Sequence, residues 1–334
     1  MAQIFRYVGI GKETEFGNAV DGTIYLDPIS CTLDVPAAPE IMVEGGMGRM
    51  VARKRPGFYV PSGSIEYPVD IRSMGYLFRA ALDGYDFTAG EPEGTNTHEF
   101  YGGNENVPTF WTYRVGKDVF EHVFDGCVAD TLTLNVADGL ATANLGLFAR
   151  KDASTDLKDF SIIEPLMPAE YPLAFYEVTA TINDNVEYAA KVRSANMSIK
   201  NNIGRDSGRG LGSQFPRTFR CGARTIEYQI QLQFDDLTHL QLFWGDDAGP
   251  DETGVGSTPF PLCLEFDAGD YGEMEILSHN CVMTNIPTQP SKRDVLYQTI
   301  TCRALRESAV ALADLSTVDT DVLVTLENFE ATLL

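Results

Sequence analysis

The sequence predicts a mainly β protein built from two tandem β-sandwich or barrel domains, each with one short flanking α-helix and a long basic loop. Three observations carry this expectation. Apolar and polar residues alternate in short runs bounded by Gly, Pro, Asn and Asp. Helical periodicity is scarce, and the second half of the chain repeats the first in outline. With 334 residues and 44% hydrophobic content, the chain can bury sizeable cores, and wholesale disorder is excluded.

The first half begins its strand pattern before a basic loop, EGGMGRMVARKRPGFYVPSG, which carries Arg49, Arg53, Lys54 and Arg55 together with Phe58 and Tyr59. SIEYPVD follows as a strand with Ile65, Tyr67 and Val69 on one face and Glu66 and Asp70 on the other. SMGYLFRAALDG is the best helix candidate, with Ser73 as its cap and Gly84 after its last turn. TLTLNVADGLATANLGLF reads as a hairpin turning at Asp138-Gly139. Leu132, Leu134, Val136, Ala141, Ala143, Leu145 and Leu147 point inward, and Thr131, Thr133, Asn135, Thr142 and Asn144 outward.

Pro165, Pro168 and Pro172 punctuate IIEPLMPAEYPL and mark a linker. The expected domains are therefore 1–165 and 166–334. Ile65-Glu66-Tyr67 returns as Ile226-Glu227-Tyr228, each time after a basic segment and before a short helix candidate, DDLTHLQLFWG in the second copy. Gly126-Cys127-Val128 is echoed by Asn280-Cys281-Val282. The second basic loop, NIGRDSGRGLGSQFPRTFRCGAR, carries Arg205, Arg209, Arg217, Phe219, Arg220 and Arg224. DVLVTLENF, near the end of the chain, is a further strand pattern.

A net charge of −23 opposes static binding of nucleic acid phosphates, although a like-charged wall could enclose DNA and leave it mobile. The six cysteines form no CxxC pair, and the four histidines have no metal-ligand spacing. No GxSxG, phosphate-binding loop or strand-linked GxGxxG is present. No signal peptide or membrane span is expected, which implies a soluble chain made in the cytosol with reduced thiols. Acidic pairs such as Asp235-Asp236 and Asp246-Asp247 read as solvated surface, and Cys221 beside Arg220 is a thiol with a basic neighbour in sequence. No catalytic residue, metal or cofactor is expected.

The two basic loops gather over a third of the 25 Lys and Arg residues on an otherwise acidic chain. Two readings are open: solvated surface hairpins, or arms that dock on an acidic neighbour through arginine and the aromatics Phe58, Tyr59 and Phe219. A second copy of the chain supplies such a neighbour, which points to head-to-tail self-assembly.

The opening YVGIGKETEFGNAVDGTIYLDPIS, the basic loop before SGSIEYPVD, the helix MGYLFRAALDG, and THEF followed by PTFWTYRVG resemble the major tail tube proteins of long-tailed bacteriophages. FDGCVADTLTLNVADGLATANLGLFARKD and PLAFYEVTATIND extend the resemblance. It implies a β-sandwich with one flanking helix, in a version carrying two copies. Single-domain members form stacked hexameric rings, so the expected ring here is a trimer with pseudo-sixfold symmetry. The resemblance further implies a virion protein assembled in the host cytoplasm around a tape measure protein. It also implies tail terminator and tip proteins as partners, and viral double-stranded DNA passing through the tube.

If the domains join edge to edge, the polar strand faces line an acidic or polar lumen. The lining candidates are Thr32, Asp34, Glu66, Asp70, Thr131, Thr133, Asn135, Thr142 and Asn144 in the first copy. Those of the second are Ser198, Glu227, Gln229, Gln231, Thr299 and Thr301. The same residues on the outside of the tube are the alternative. The rival functions are another ring-forming tail or secretion-tube component, or a carbohydrate-active β-sandwich enzyme using paired carboxylates.

Overall fold

The computed structural model describes residues 6–35, 40–44, 51–90, 95–104, 106–117, 119–168, 171–183, 191–233, 241, 243–244, 258–286 and 297–330. The first half contains β1 (Arg6–Lys12), β2 (Ile24–Leu26), β3 (Ser30–Cys31), β4 (Glu40–Glu44), β5 (Val51–Pro56) and β6 (Ser62–Pro68). Helix α1 (Met74–Ala81) is followed by β7 (Gly84–Thr88), β8 (Asn96–Tyr101), β9 (Trp111–Lys117), β10 (Phe120–Val136), β11 (Thr142–Phe148) and β12 (Lys151–Thr155). After the short α2 (Phe160–Ile163) come β13 (Val178–Ile182), β14 (Val192–Lys200), β15 (Thr225–Gln233), β16 (Phe260–Asp267), β17 (Glu273–Asn285) and β18 (Tyr297–Ala304). The described chain closes with β19 (Glu307–Ala311), β20 (Thr317–Thr320) and β21 (Leu323–Asn328). The mainly β expectation holds.

Period-2 alternation sets both layers. Ile65, Tyr67, Leu132, Leu134, Val136, Ala141, Ala143, Leu145 and Leu147 are buried as the alternation requires. They face Val8, Ile10, Trp111, Tyr113 and Phe124 of a second sheet, and Met74, Leu77 and Phe78 of α1, in one hydrophobic cluster. That cluster continues into the second half through Met197, Ile199, Tyr228, Ile230, Leu264, Phe266 and Ile276. The two halves thus share a continuous core.

The pairings run in the same antiparallel order in each half. In the first, the succession is β1–β9–β10–β11–β6–β3. In the second it is β13–β16–β17–β18–β15–β14. Long β10 pairs with β9 and β12 before it bends at the Phe124/Cys127 and Ala129/Thr131 irregularities, then with β11 and β14. Gly126, at φ 58°, supplies the left-handed residue at this bend. The β10–β14 ladder, from Thr131 opposite Lys200 to Val136 opposite Ala195, joins the halves edge to edge. β21 joins them a second time, pairing with β17 on one side and β8 on the other.

Local expectations are met unevenly. The hairpin tip at Asp138-Gly139 lies between β10 and β11, with Gly139 at φ 121°. Ser73 sits at the N-cap of α1, but its hydroxyl makes no cap bond and donates to Asp70 Oδ2 at 3.4 Å. The helix ends at Leu82, in extended conformation. Gly84 instead opens β7 against the Tyr101 ring, where a Cβ would clash. Residues 241, 243 and 244 are helical, while the rest of DDLTHLQLFWG lies outside the described residues. The proline-marked segment is packed: Ile163 is buried against Tyr7 and Tyr25, and Leu173 N donates to Val69 O at 2.9 Å.

Candidate assembly surfaces

One polar face crosses β3, β6, β11, β10, β14, β15 and β18. A single row runs Ser30–Glu66–Asn144–Thr133–Ser198–Glu227–Arg303, each residue directly opposite the next. A second row places Thr142, Asn135, Asn196, Gln229 and Thr301 in register. Thr131 stands opposite Lys200, and Gln231 opposite Thr299. Thr32 joins the face through its hydroxyl, 3.2 Å from Ser64 Oγ, and exposed Asp34 bridges to Ser62. The candidates from both halves therefore share one surface, apart from Asp70.

Asp70 is a correction, because it is fully buried and faces no lumen. β6 ends at Pro68, so the alternation stops before Asp70 and the chain turns into α1. Its carboxylate accepts from Arg72 N at 3.1 Å, its carbonyl accepts from Ser73 N and Met74 N, and burial pushes its pKa upward.

Sequence reasoning also missed two cations on the polar face. Lys200 Nζ donates to Glu227 Oε2 at 2.8 Å, and exposed Arg303 lies opposite Glu227. Lys117 reaches Asp34 at 3.4 Å. The described face is polar and close to charge balance rather than acidic. Both cations share the parity of neighbouring candidates, Ser198 with Lys200 and Thr301 with Arg303, so alternation would have found them.

The two basic loops differ in kind. The first contains a hairpin, β4 with β5, which pairs with no other strand among those described. Arg53, Lys54 and Arg55 stand opposite Val43, Met42 and Ile41, Arg55 is exposed, and Arg49 lies outside the described residues. The second loop is irregular and packs on the first half of its own chain. Phe219, fully buried with Val60, Val128 and Ile203, cannot serve as an anchor inserted into a neighbour. Half-buried Phe58 and Tyr59 also belong to this internal seam. Arg209 lies over the Phe58 ring at 5.7 Å, Tyr59 N donates to Gln214 O at 2.8 Å, and Tyr59 OH donates to Asp152 Oδ1 at 2.8 Å.

Arg224 is equally committed to its own chain. It grips Asp321 through Nε and Nη2 at 3.0 Å each, donates to Gly103 O and lies 3.5 Å from Asp83. Arg205 Nη2 donates to Val60 O at 3.3 Å, and Arg217 Nη2 to Leu211 O at 2.7 Å. Arg205, Arg209, Arg217 and Arg220 keep exposed surface.

No catalytic constellation emerges among the described residues. Burial pushes the Cys221 thiol up to about 11 and that of Cys281 up to about 12, which keeps both protonated at neutral pH. Cys263 comes together with Glu265 and Glu275, and its thiol donates to Glu275 Oε1 at 3.3 Å; burial and the two carboxylates push its pKa far up. Buried His98 places Nδ1 3.1 Å from Tyr85 OH. No helix among the described residues is long and apolar enough to cross a membrane.

No curated protein matches the chain. A family profile described as phage tail tube protein matches residues 6–304, nearly the whole chain, leaving only β19, β20 and β21 of the described strands beyond it. The chain belongs to the phage tail tube protein family, structural components of the virion tail that assemble with themselves and with other tail parts.

Proposed function

We propose that three copies of this chain form a ring with pseudo-sixfold symmetry, and that such rings stack into the hollow tube through which viral double-stranded DNA passes. In this reading residues 1–165 and 166–334 are duplicated tail-tube domains, and the polar face across both halves lines the lumen. The β10–β14 ladder is the observation that carries it. Two halves with the same pairing order join by backbone hydrogen bonds into one sheet, with apolar residues behind and polar residues in front. Repeating that junction between chains removes sheet edges and closes a barrel.

A near-neutral wall suits passage of DNA. Each fixed cation far from a carboxylate would hold a phosphate, whereas Lys200 is paired with Glu227 and Arg303 lies opposite the same Glu227. The β4–β5 hairpin, with Arg53, Lys54 and Arg55, is the docking arm between rings. The second loop acts as the platform at its base. Tape measure, terminator and tip proteins complete the assembly, and no catalysis is part of this reading.

Negative-stain electron microscopy across protein and salt concentrations tests the proposal, alongside Arg53→Glu/Lys54→Glu/Arg55→Glu. Wild-type protein is expected to give hollow six-lobed rings of three chains that stack more readily at low salt. The triple variant is expected to fold and to give unstacked rings. Rings of six chains would refute the trimer, and normal stacks from the triple variant would refute the arm. Uniform small particles under every condition, even with tail tip complexes supplied, would refute the tube reading.

A further inference from the structure

The ladders give the polar sheet two ends. Ser62, Phe148, Thr131, Lys200 and Thr225 lie at one, and Pro68, Thr142, Val136 and Ala195 at the other. Both basic loops leave from the first end, because one precedes Ser62 and the other joins Lys200 to Thr225. Each end presents apolar side chains that the core of the chain leaves uncovered.

At the first end the second loop is folded around one arginine. Arg217 N donates to Gly208 O at 2.9 Å and Arg217 Nη2 to Leu211 O at 2.7 Å, while Gly212 turns the chain at φ 86°. The tip so formed leaves Leu211 98% exposed, with exposed Arg209 and Arg217 on either side of it in sequence. Asp206 is the one carboxylate of this loop, against Arg205, Arg209, Arg217, Arg220 and Arg224.

At the opposite end, Leu140 is 53% exposed, Phe175 46% and Tyr176 75%. Leu140 bridges to Ala174, Phe175 N donates to Gly139 O at 2.9 Å, and the Phe175 and Tyr176 rings meet edge-on at 5.7 Å. Glu177 fastens this turn by accepting from Ala174 N at 2.8 Å and Tyr171 OH at 2.9 Å, and Tyr171 stacks on Tyr271 at 4.4 Å. Exposed Asp138 and Asp270 adjoin Gly139 and Tyr271 in sequence.

Resting on the stacking of rings in the reading above, we propose that Leu211 of one copy seats on Leu140, Phe175 and Tyr176 of a copy in the adjacent ring, with Arg209 and Arg217 toward Asp138 and Asp270. Charge complementarity selects a second copy as the occupant, because an apolar tip flanked by arginine and an apolar seat flanked by carboxylates occur on the same chain. Both lie on the β10–β14 junction, the loop beyond the Thr131–Lys200 pair and the seat beyond the Val136–Ala195 pair. Head-to-tail stacking therefore presents one to the other. Burial of a leucine strengthens each such contact roughly ten- to a hundredfold.

Two measurements read this contact. Leu211→Asp is expected to leave the rings and the melting temperature of the unassembled chain unchanged and to lower the stacked fraction by about tenfold or more, and Tyr176→Asp to do the same. Stacks in wild-type yield from either variant would overturn the seat. Leu211→Cys with Tyr176→Cys, treated with a bismaleimide as stacks and run on a denaturing gel, is expected to give a ladder of covalent multimers that each single variant lacks. Stacks whose pair gives no ladder would overturn the contact and leave stacking itself standing. A ladder from Lys54→Cys with Tyr176→Cys in its place would give the seat to the β4–β5 hairpin and overturn the role of Leu211. Rings that never stack, from wild type and variants alike and with tail tip complexes supplied, would overturn both the stacking reading and the seat.

Discussion

Phe219→Ala separates an aromatic anchor for a neighbour from a piece of the chain's own core. Phe219 is 0% exposed, packed with Val60, Val128 and Ile203, with the Phe16 ring edge-on at 6.0 Å and the Phe148 ring stacked at 6.4 Å. Truncating a fully buried phenylalanine removes its transfer free energy and leaves a cavity, which together cost about 3–5 kcal/mol. At roughly 2 °C per kcal/mol for a chain of this size, the melting temperature should fall by about 6–10 °C. The assay is equilibrium urea unfolding of dilute, unassembled protein, with Arg220→Ala as an exposed control from the same loop expected to stay within about 0.5 kcal/mol of wild type. A loss below about 1 kcal/mol in the dilute chain, with a defect appearing only on stacking, would refute the internal seam and restore Phe219 as an intermolecular anchor.

Three further perturbations test other parts of the molecule. Arg224→Met strands Asp321 and Asp83 in a seam where Arg224 and Asp321 keep 14% and 16% of their side-chain surface, so denaturation should show a loss of about 3 kcal/mol; an unchanged midpoint would show that the cluster contributes nothing. Burial raises Asp125 to about 6 against the attraction of Arg150, so its contribution is present below the unfolded pKa of 3.8 and is lost as pH rises through about 6. Asp125→Asn should therefore reduce the stability gained between pH 7.5 and pH 5 by about 1.4 kcal/mol, and an unchanged pH profile by thermal denaturation would count against it. Glu66→Lys with Glu227→Lys adds unpaired cations to the polar face and also releases Lys200, so tubes should form while DNA ejection slows; ejection at normal speed would place this face away from the lumen.

Those features of the fold that depend on neighbours in sequence were legible. Leu132, Leu134 and Val136 lie inward and Thr131, Thr133 and Asn135 outward because strand parity is a local property. Asp70 defeated the same rule because parity holds only while a strand lasts, and β6 stops at Pro68. Gly84 resembled a helix stop, yet its absent side chain accommodates Tyr101 from another strand. Phe219 was readable as something to be buried, but composition cannot say whether the covering surface belongs to its own chain. The β21–β8 and β10–β14 pairings were hidden for the same reason, since strands far apart in sequence carry no local mark of their partners.

Holding two halves in one chain changes how the proposed ring closes. The connection between the halves, pinned by Ile163 and Leu173, raises the effective concentration of β14 at the β10 edge, so this junction forms as the chain folds. The β3 edge, paired with β6 alone among the described strands, then remains for contact between copies, and it differs from the strand edges of the second half. A contact between unlike edges is heterologous, so it propagates in one direction and must close on itself to terminate. Such edges would also invite uncontrolled pairing before assembly. β3 is two residues long and preceded by Pro28. Short, proline-bounded edges bind weakly one at a time, and a ring gains full strength only when its last junction closes. That favours closed rings over partial ones, and leaves stacking to the separate β4–β5 hairpin and the second basic loop.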